Sequence, residues 1–248
     1  MPALPVKKTP PKQKMEEQII LIYGPPKIGK STLASQFDNP LFLATEAGLN
    51  NLEVYQVPVP KWEEFLGYCK EIAIGKHDFK TIVIDTIDNL FKACSEYVRK
   101  KNNIQHESDL DWGKGWSLVK DEFSRALTKL SLLPYGLVMI SHADFIEIKT
   151  RTAKITKAVP TLQKSAREII LGMSDIILYC ESTVTDREGE IRIMRTKPSE
   201  NWEAGDRTGK LPETLSLDYQ AFYNAFYGII PDESPADTRK SIKQEALV

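Results

Sequence analysis

Between Gln18 and Thr32 the chain reads QIILIYGPPKIGKST, and no other stretch limits its folding as tightly. Ile19, Ile20, Leu21 and Ile22 form an apolar run of the kind that fills a strand buried on both faces. Gly24-Pro25-Pro26-Lys27-Ile28-Gly29-Lys30-Ser31 follows at once and fits the pattern G-x-x-x-x-G-K-[ST]. In that pattern the glycines let backbone amides turn inward around phosphate oxygens, and the helix behind presents its positive N-terminal end to them. A lysine in the place of Lys30 reaches the β- and γ-phosphates, and a hydroxyl in the place of Ser31 ligates Mg²⁺. Gly24 through Thr32 is therefore expected to hold a nucleoside triphosphate.

The rest of the chain narrows the setting. With 248 residues there is room for one α/β domain or two small ones. The net charge of −1 means that no polyanionic partner is demanded by the chain as a whole, so any nucleic-acid surface must be local. Cys69, Cys94 and Cys180 are scattered and form no C-x-x-C pair, which suits a reducing compartment without a disulfide framework or metal cluster. The N-terminus lacks the apolar core of a signal peptide, and no run is long and apolar enough to span a membrane. These features give the expectation of a cytoplasmic protein with no membrane partner. Four prolines and four lysines in residues 1–15 predict a flexible basic arm, and the polar residues 229–248 predict a flexible tail.

Between these ends, apolar runs alternate with amphipathic ones. Ser31 to Phe37 reads as helix, Leu41 to Ala44 as a second strand, and Lys61 to Ile74 as a helix closed by Gly75. Thr81 to Asp85 is a third strand, with Asp88 expected to cap the helix after it. Trp116 to Leu133 is a long amphipathic helix, and Leu137 to Ser141 a fourth strand. Such alternation predicts a mostly parallel sheet flanked by helices. From Phe145 the pattern switches to FIEIKTRTAKITKAV, which alternates as a hairpin does, with its basic residues on exposed positions. A short helix is expected near Leu162 to Leu171. A second hairpin is expected from Ile176–Cys180 and Glu190–Met194, turning at Asp186 to Gly189, with a last short helix before Tyr227.

Polar groups at strand ends are the candidates for chemistry. Asp85 closes its apolar run 55 positions after Lys30, where a carboxylate can hold Mg²⁺ together with Ser31. Glu46, in TEAG, also ends a strand and is a candidate for polarising an attacking water. His142 follows the fourth strand, within reach of a γ-phosphate or as a simple hydrogen-bonded histidine.

Taken in order around GPPKIGKST, the segments LATEAGL, TIVIDTIDNL and LVMISHADF resemble the RecA-type ATPase core, and in particular the short RecA-like single-strand annealing or recombination proteins of phages and prophages. The resemblance covers residues 18–228 and implies an α/β RecA-like P-loop NTPase with C-terminal β-hairpins, its ATPase domain spanning 16–228. It implies ATP and Mg²⁺ as cofactors, Glu46 as the catalytic glutamate, Asp85 as the metal aspartate, and His142 in the place of a glutamine that senses the γ-phosphate. Arg195 and Lys197 match paired cations that reach a neighbour's ATP across a subunit interface, with Arg207 a second candidate. A homo-oligomer, ring or filament, acting on single-stranded DNA in the cytoplasm of a prokaryotic host is thereby implied.

The residues themselves supply a place for such a strand. From Ile146 to Arg167 six basic side chains face one acid, and Lys149, Arg151, Lys154 and Lys157 are the candidates for contacting DNA phosphates. Two other readings stay open: a small-molecule phosphotransferase, and an AAA+-like ATP-dependent switch or loader. The first would need an arginine-rich lid and the second a helical lid domain, for which the segment after Cys180 offers little length. Removing the Lys30 charge tests the phosphate loop: Lys30→Ala is expected to weaken nucleotide affinity by several kcal/mol, the scale of a broken charge-assisted contact in a desolvated site. Isothermal titration with an ATP analogue measures it, and near-wild-type affinity would reject the assignment.

Overall fold

The structure is a computed structural model that describes residue 4 and residues 6–149, 154–185 and 189–230. Its centre is β1 (Ile19–Gly24), every residue of which is buried. β1 pairs in parallel with β5 (Gly136–Lys149) on one side and with β7 (Ile176–Thr185) on the other. Beyond β5, parallel pairing continues through β4 (Thr81–Asp85), β2 (Pro40–Ala44) and β3 (Tyr55–Pro58). Beyond β7 the sheet turns antiparallel, adding β8 (Gly189–Arg195) and then β10 (Thr214–Ser216), while the short β9 (Gly205–Asp206) also pairs with β7. β6 (Lys154–Pro160) pairs antiparallel with the distal half of β5. The α/β, mostly parallel arrangement expected from the sequence is the one observed, hairpins included.

Strand alternation explains why both faces are covered. Ile19, Leu21, Leu43, Ile82, Ile84, Leu137 and Met139 face one apolar layer. It is formed by α2 (Trp62–Ile74), α3 (Ile87–Lys101), α4 (Lys114–Ser131) and α5 (Lys164–Met173). Ile20, Ile22, Phe42, Val83, Val138 and Ile140 face the other, against α1 (Lys30–Ala34) and α6 (Tyr219–Tyr227). A period of two on the strands thus divides each apolar run between two cores.

Several expectations need correction. β3 and β10 were not expected: each is a short strand at an end of the sheet, and Pro58 within β3 is tolerated there because one side of that strand has no ladder to donate to. The helix after the phosphate loop closes at Ala34 rather than Phe37. Asp88 does not cap α3; Thr86 holds that position, and Asp88 lies buried in the first turn. The fourth strand does not stop at Ser141 but continues unbroken to Lys149. Of the basic hairpin positions expected to be exposed, Lys157 is not: its ammonium pairs with Glu203 at 2.9 Å and its side chain keeps 17% of its exposure. The segment around 201–203 runs along β6 and covers that face, with the Ala158 amide donating to the Asn201 carbonyl at 2.8 Å. The turn of this hairpin, with Arg151, and residues 186–188 of the second hairpin turn lie outside the described residues, as does the tail from residue 231. At the other end, Lys12 pairs with Asp175 at 3.5 Å, and the Gln18 amide donates to the Lys14 carbonyl at 3.0 Å.

Tyr23 joins the phosphate-loop strand to the root of the basic hairpin. Its buried hydroxyl accepts from the Glu203 amide at 3.0 Å and lies 2.6 Å from the Glu203 carbonyl and 3.1 Å from that of Ala158. Burial pushes its phenol well above the ordinary tyrosine range, so it stays a neutral donor. Tyr23→Phe is expected to cost about 1–2 kcal/mol, since buried acceptors lose their donor while the ring's packing is kept. Urea denaturation measures this, with nucleotide affinity expected to stay at the wild-type value.

Candidate active site

The site forms where the parallel strands end. Gly29 (φ +118°) and Lys27 (φ +63°) adopt left-handed backbone conformations, which fold residues 24–29 into a loop between β1 and α1. Gly24 is required for a different reason: a Cβ there would lie 2.4 Å from the Cys180 carbonyl oxygen of the adjacent strand. Lys30 opens α1 almost fully buried, and its ammonium donates to the carbonyls of Gly24 (2.9 Å) and Pro25 (2.8 Å). Burial pushes this amine below the ordinary lysine range, with neighbouring Cys180 and Asp85 pulling the other way.

Next to it, the Ser31 hydroxyl donates to Asp85 Oδ2 at 2.7 Å. Asp85 is buried, and burial raises its carboxyl above the usual carboxylate range, opposed by the Ser31 hydrogen bond and by the Lys30 charge. The peptide from Asp85 to Thr86 is cis. Thr45, just past β2, fastens the neighbouring strand end: its hydroxyl accepts from Thr86 N at 2.8 Å and lies 2.9 Å from the Thr86 carbonyl.

Glu46 and His142 complete one wall. His142 Nε2 lies 3.8 Å from Glu46 Oε1, and the other carboxylate oxygen of Glu46 accepts from the Asn89 amide at 2.9 Å. His142 Nδ1 is buried without a partner. The backbone of His142 is held by Asp88, whose Oδ2 accepts from His142 N at 2.9 Å while Oδ1 accepts from the Ser141 hydroxyl at 2.7 Å. Lys30, Ser31, Asp85, Glu46 and His142 therefore border a single cleft of about 590 Å³, together with Pro26, Lys27, Gly29 and Thr32 of the loop.

These groups fit a Mg²⁺–nucleoside triphosphate. A buried ammonium whose partners are only loop carbonyls can exchange them for phosphate oxygens, and a hydroxyl beside a carboxylate forms the hard oxygen pair that Mg²⁺ takes alongside phosphates and water. Glu46 stands on the open side, a carboxylate able to orient a water.

The cations proposed to act between subunits do not line this cleft. Arg195 donates to Glu181 at 2.7 Å and to the Thr214 hydroxyl at 3.0 Å, and its guanidinium stacks over Trp202. Lys197 pairs with Asp206 at 3.2 Å, and Arg207 with Asp175 at 3.7 Å. A different arginine approaches the loop within the chain. Arg192 on β8 donates to the Ile28 carbonyl at 3.4 Å. Sequence reading did not single out Arg192, Asn89 or the buried role of Asp88, because each depends on a contact between distant segments.

A family model described as an AAA domain matches residues 16–208. The SPbeta prophage-derived uncharacterized protein YorG of Bacillus subtilis (strain 168) is 26% identical over 183 residues, which cover 71% of this chain and 54% of that protein. The chain thus spans about half the length of this curated relative. Among solved structures, the flagellar accessory protein FlaH of Methanocaldococcus jannaschii is similar at a TM-score of 0.45 with 13% identity, covering 81% of this chain and 84% of that one. Among the described residues, no helix is long and apolar enough to cross a membrane.

Burial places Asp88 in a titratable position, its carboxyl pushed up to about 6 against the opposing bonds from His142 and Ser141. A carboxyl raised by folding stabilises the fold while protonated, and that contribution is lost as pH climbs from about 4 through 6. Asp88→Asn keeps an acceptor for His142 N and has no charge to bury. Its stability relative to wild type is expected to rise by roughly 1–3 kcal/mol between pH 4 and pH 7. Denaturant titrations at the two pH values check this, and a constant difference would show that Asp88 does not titrate in this range.

Proposed function

Since the chain belongs to the AAA domain family of P-loop ATPases, we propose that it couples ATP hydrolysis to single-stranded DNA, in recombination, annealing or repair of the phage type. The observation that carries this reading is the continuity of β5, which leaves the ATP cleft at His142 and becomes one arm of the basic hairpin without a break. Lys149 and Lys154 lie opposite each other at the described end of that hairpin, two like charges with no apolar reason to be adjacent. Among the described residues, Glu147 lies 3.9 Å from the Lys154 ammonium. Phe145 and Ile148 are 59% and 39% exposed on the same hairpin, so cations and apolar surface occur together as they do on single-strand binding surfaces. Arg151 belongs to the same proposal; Lys157, already paired with Glu203, contributes less. The prophage origin printed in the name of the Bacillus subtilis relative supports the phage setting.

In this reading residues 16–228 form the ATPase domain, flanked by an arm and a tail. Bound Mg²⁺-ATP supplies the phosphoryl group and the metal that offsets its charge. Lys30 holds the β- and γ-phosphates, with the backbone of Gly24 to Thr32 around them, and Ser31 and Asp85 hold the metal. Glu46 orients the attacking water and takes its proton, while His142 contacts the γ-phosphate. Arg195 and Lys197 serve a neighbouring subunit in a ring or filament, and to do so each must exchange its present carboxylate for that neighbour's phosphates.

Binding of an oligo-dT probe across a range of salt concentrations tests the DNA half of this reading. Each lost phosphate contact should lower the slope of log K against log salt by about 0.7 on a single strand, so Lys149→Ala/Lys154→Ala is expected to lower it by about 1.4 and to weaken binding throughout. Unchanged affinity and slope in the double variant, or no binding by wild type, would overturn it.

A further inference from the structure

Two side chains of α3 act on the cleft without lining it. Asn89 Nδ2 donates to Glu46 Oε2 at 2.9 Å, and Lys92 Nζ donates to Asn89 Oδ1 at 3.3 Å. The second bond determines the first. An amide has one accepting end and one donating end, so an ammonium on Oδ1 turns the NH₂ toward the carboxylate. With Oε2 engaged, Oε1 is the oxygen of Glu46 that faces His142, 3.8 Å from Nε2, and the cleft.

Glu46 needs such a partner. It lies on a connection beyond β2, and its side chain retains 36% of its exposure. The terminal torsion of a free glutamate has a broad, two-fold preference, and a carboxylate that must address one water gains from a donor that removes this freedom. The donor itself is presented from a fixed base. Asp88, the preceding residue, binds both the Ser141 hydroxyl and the His142 amide of β5, and Leu90 N closes the helical turn on the Thr86 carbonyl at 3.2 Å. The first turn of α3 therefore sets the backbone of His142 with one residue and the carboxylate of Glu46 with the next.

We propose that Asn89, itself oriented by Lys92, is a positioning residue for hydrolysis, holding Glu46 so that Oε1 addresses the water that attacks the γ-phosphate. The proposal rests on the assignment of Glu46 as the group that handles water. It gives Asn89 no contact with nucleotide, so its effect must pass through Glu46 and disappear when Glu46 cannot act.

That dependence is what a double-mutant cycle reads. Steady-state ATPase rates and the Kd for ATP would be measured with Mg²⁺-ATP for wild type, Asn89→Ala, Glu46→Gln and the double variant. Asn89→Ala is expected to lower kcat about tenfold while the Kd changes less than about twofold, and to cost less than about twofold once Glu46 is already Gln. Asn89→Asp, which sets a second carboxylate against Glu46, is expected to lower kcat at least as far. Should Asn89→Ala fold poorly, Lys92→Ala provides the same cycle from a solvent-exposed position, with about a threefold loss in kcat that also vanishes in the Glu46→Gln background. A wild-type kcat in Asn89→Ala, or an equal loss with and without the Glu46 carboxylate, overturns the positioning role. A wild-type kcat in Glu46→Gln alone overturns the assignment of Glu46, a failure visible separately from the first.

Discussion

A strand buried on both faces can place a polar side chain only where it ends. β1, β4 and the first part of β5 lie side by side in this condition, and their polar groups gather at one edge of the sheet as a result. Asp85 is the last residue of β4, Ser141 and His142 stand where β5 leaves the parallel sheet, and the phosphate loop begins as β1 ends at Gly24. Glu46 arrives at the same edge from β2, which the Thr45 hydroxyl fastens to Thr86. Concentrating carboxylates, an imidazole and a buried ammonium in one cleft is therefore a consequence of packing as much as of chemistry. Burial there disfavours the charged forms, pushing Lys30 down and Asp85 and Asp88 up from their ordinary ranges.

What was legible in the sequence follows from the same constraint. The phosphate loop can be read because its role lies in backbone geometry, which fixes glycine, lysine and serine at set spacings within a few residues. Asp85 and Glu46 can be read because an apolar run that stops at a polar residue marks a strand end, and His142 because the apolar run of β5 stops there, although the strand itself continues to Lys149. Asn89 and Asp88 could not be read this way: their partners lie 43 and 54 positions away, and in the linear chain they sit in a helix start like many others. Arg192, whose partner Ile28 is 164 positions distant, is hidden for the same reason. β3 is hard to read because four mostly exposed residues ending in proline carry no strong period. Lys157 was misread because alternation tells which side a residue takes, but not whether another segment later covers that side.

The cations illustrate a further limit. Matching a motif picks out Arg195, the last residue of β8, and Lys197 just beyond it, but does not reveal that they are already engaged with Glu181 and Asp206. The Arg195–Glu181 pair is partly exposed and of a kind worth little by itself, whereas Lys197 neutralises an Asp206 carboxylate that is fully buried, a charge that is costly to leave unpaired.

The unbroken course of β5 has a mechanical consequence. From Ala143 to Lys149 the strand extends beyond its parallel neighbours by about 20 Å at the ordinary rise of an antiparallel strand. It is stiffened along that length by β6, and at the root of the pair Asp88 holds β5 while the Tyr23 hydroxyl holds the Ala158 carbonyl of β6. A rod of that length pivoting at His142 turns angle into distance: a tilt of about 10° would carry its far end by about 3.5 Å. Small displacements at the cleft end would then be magnified at the lysines.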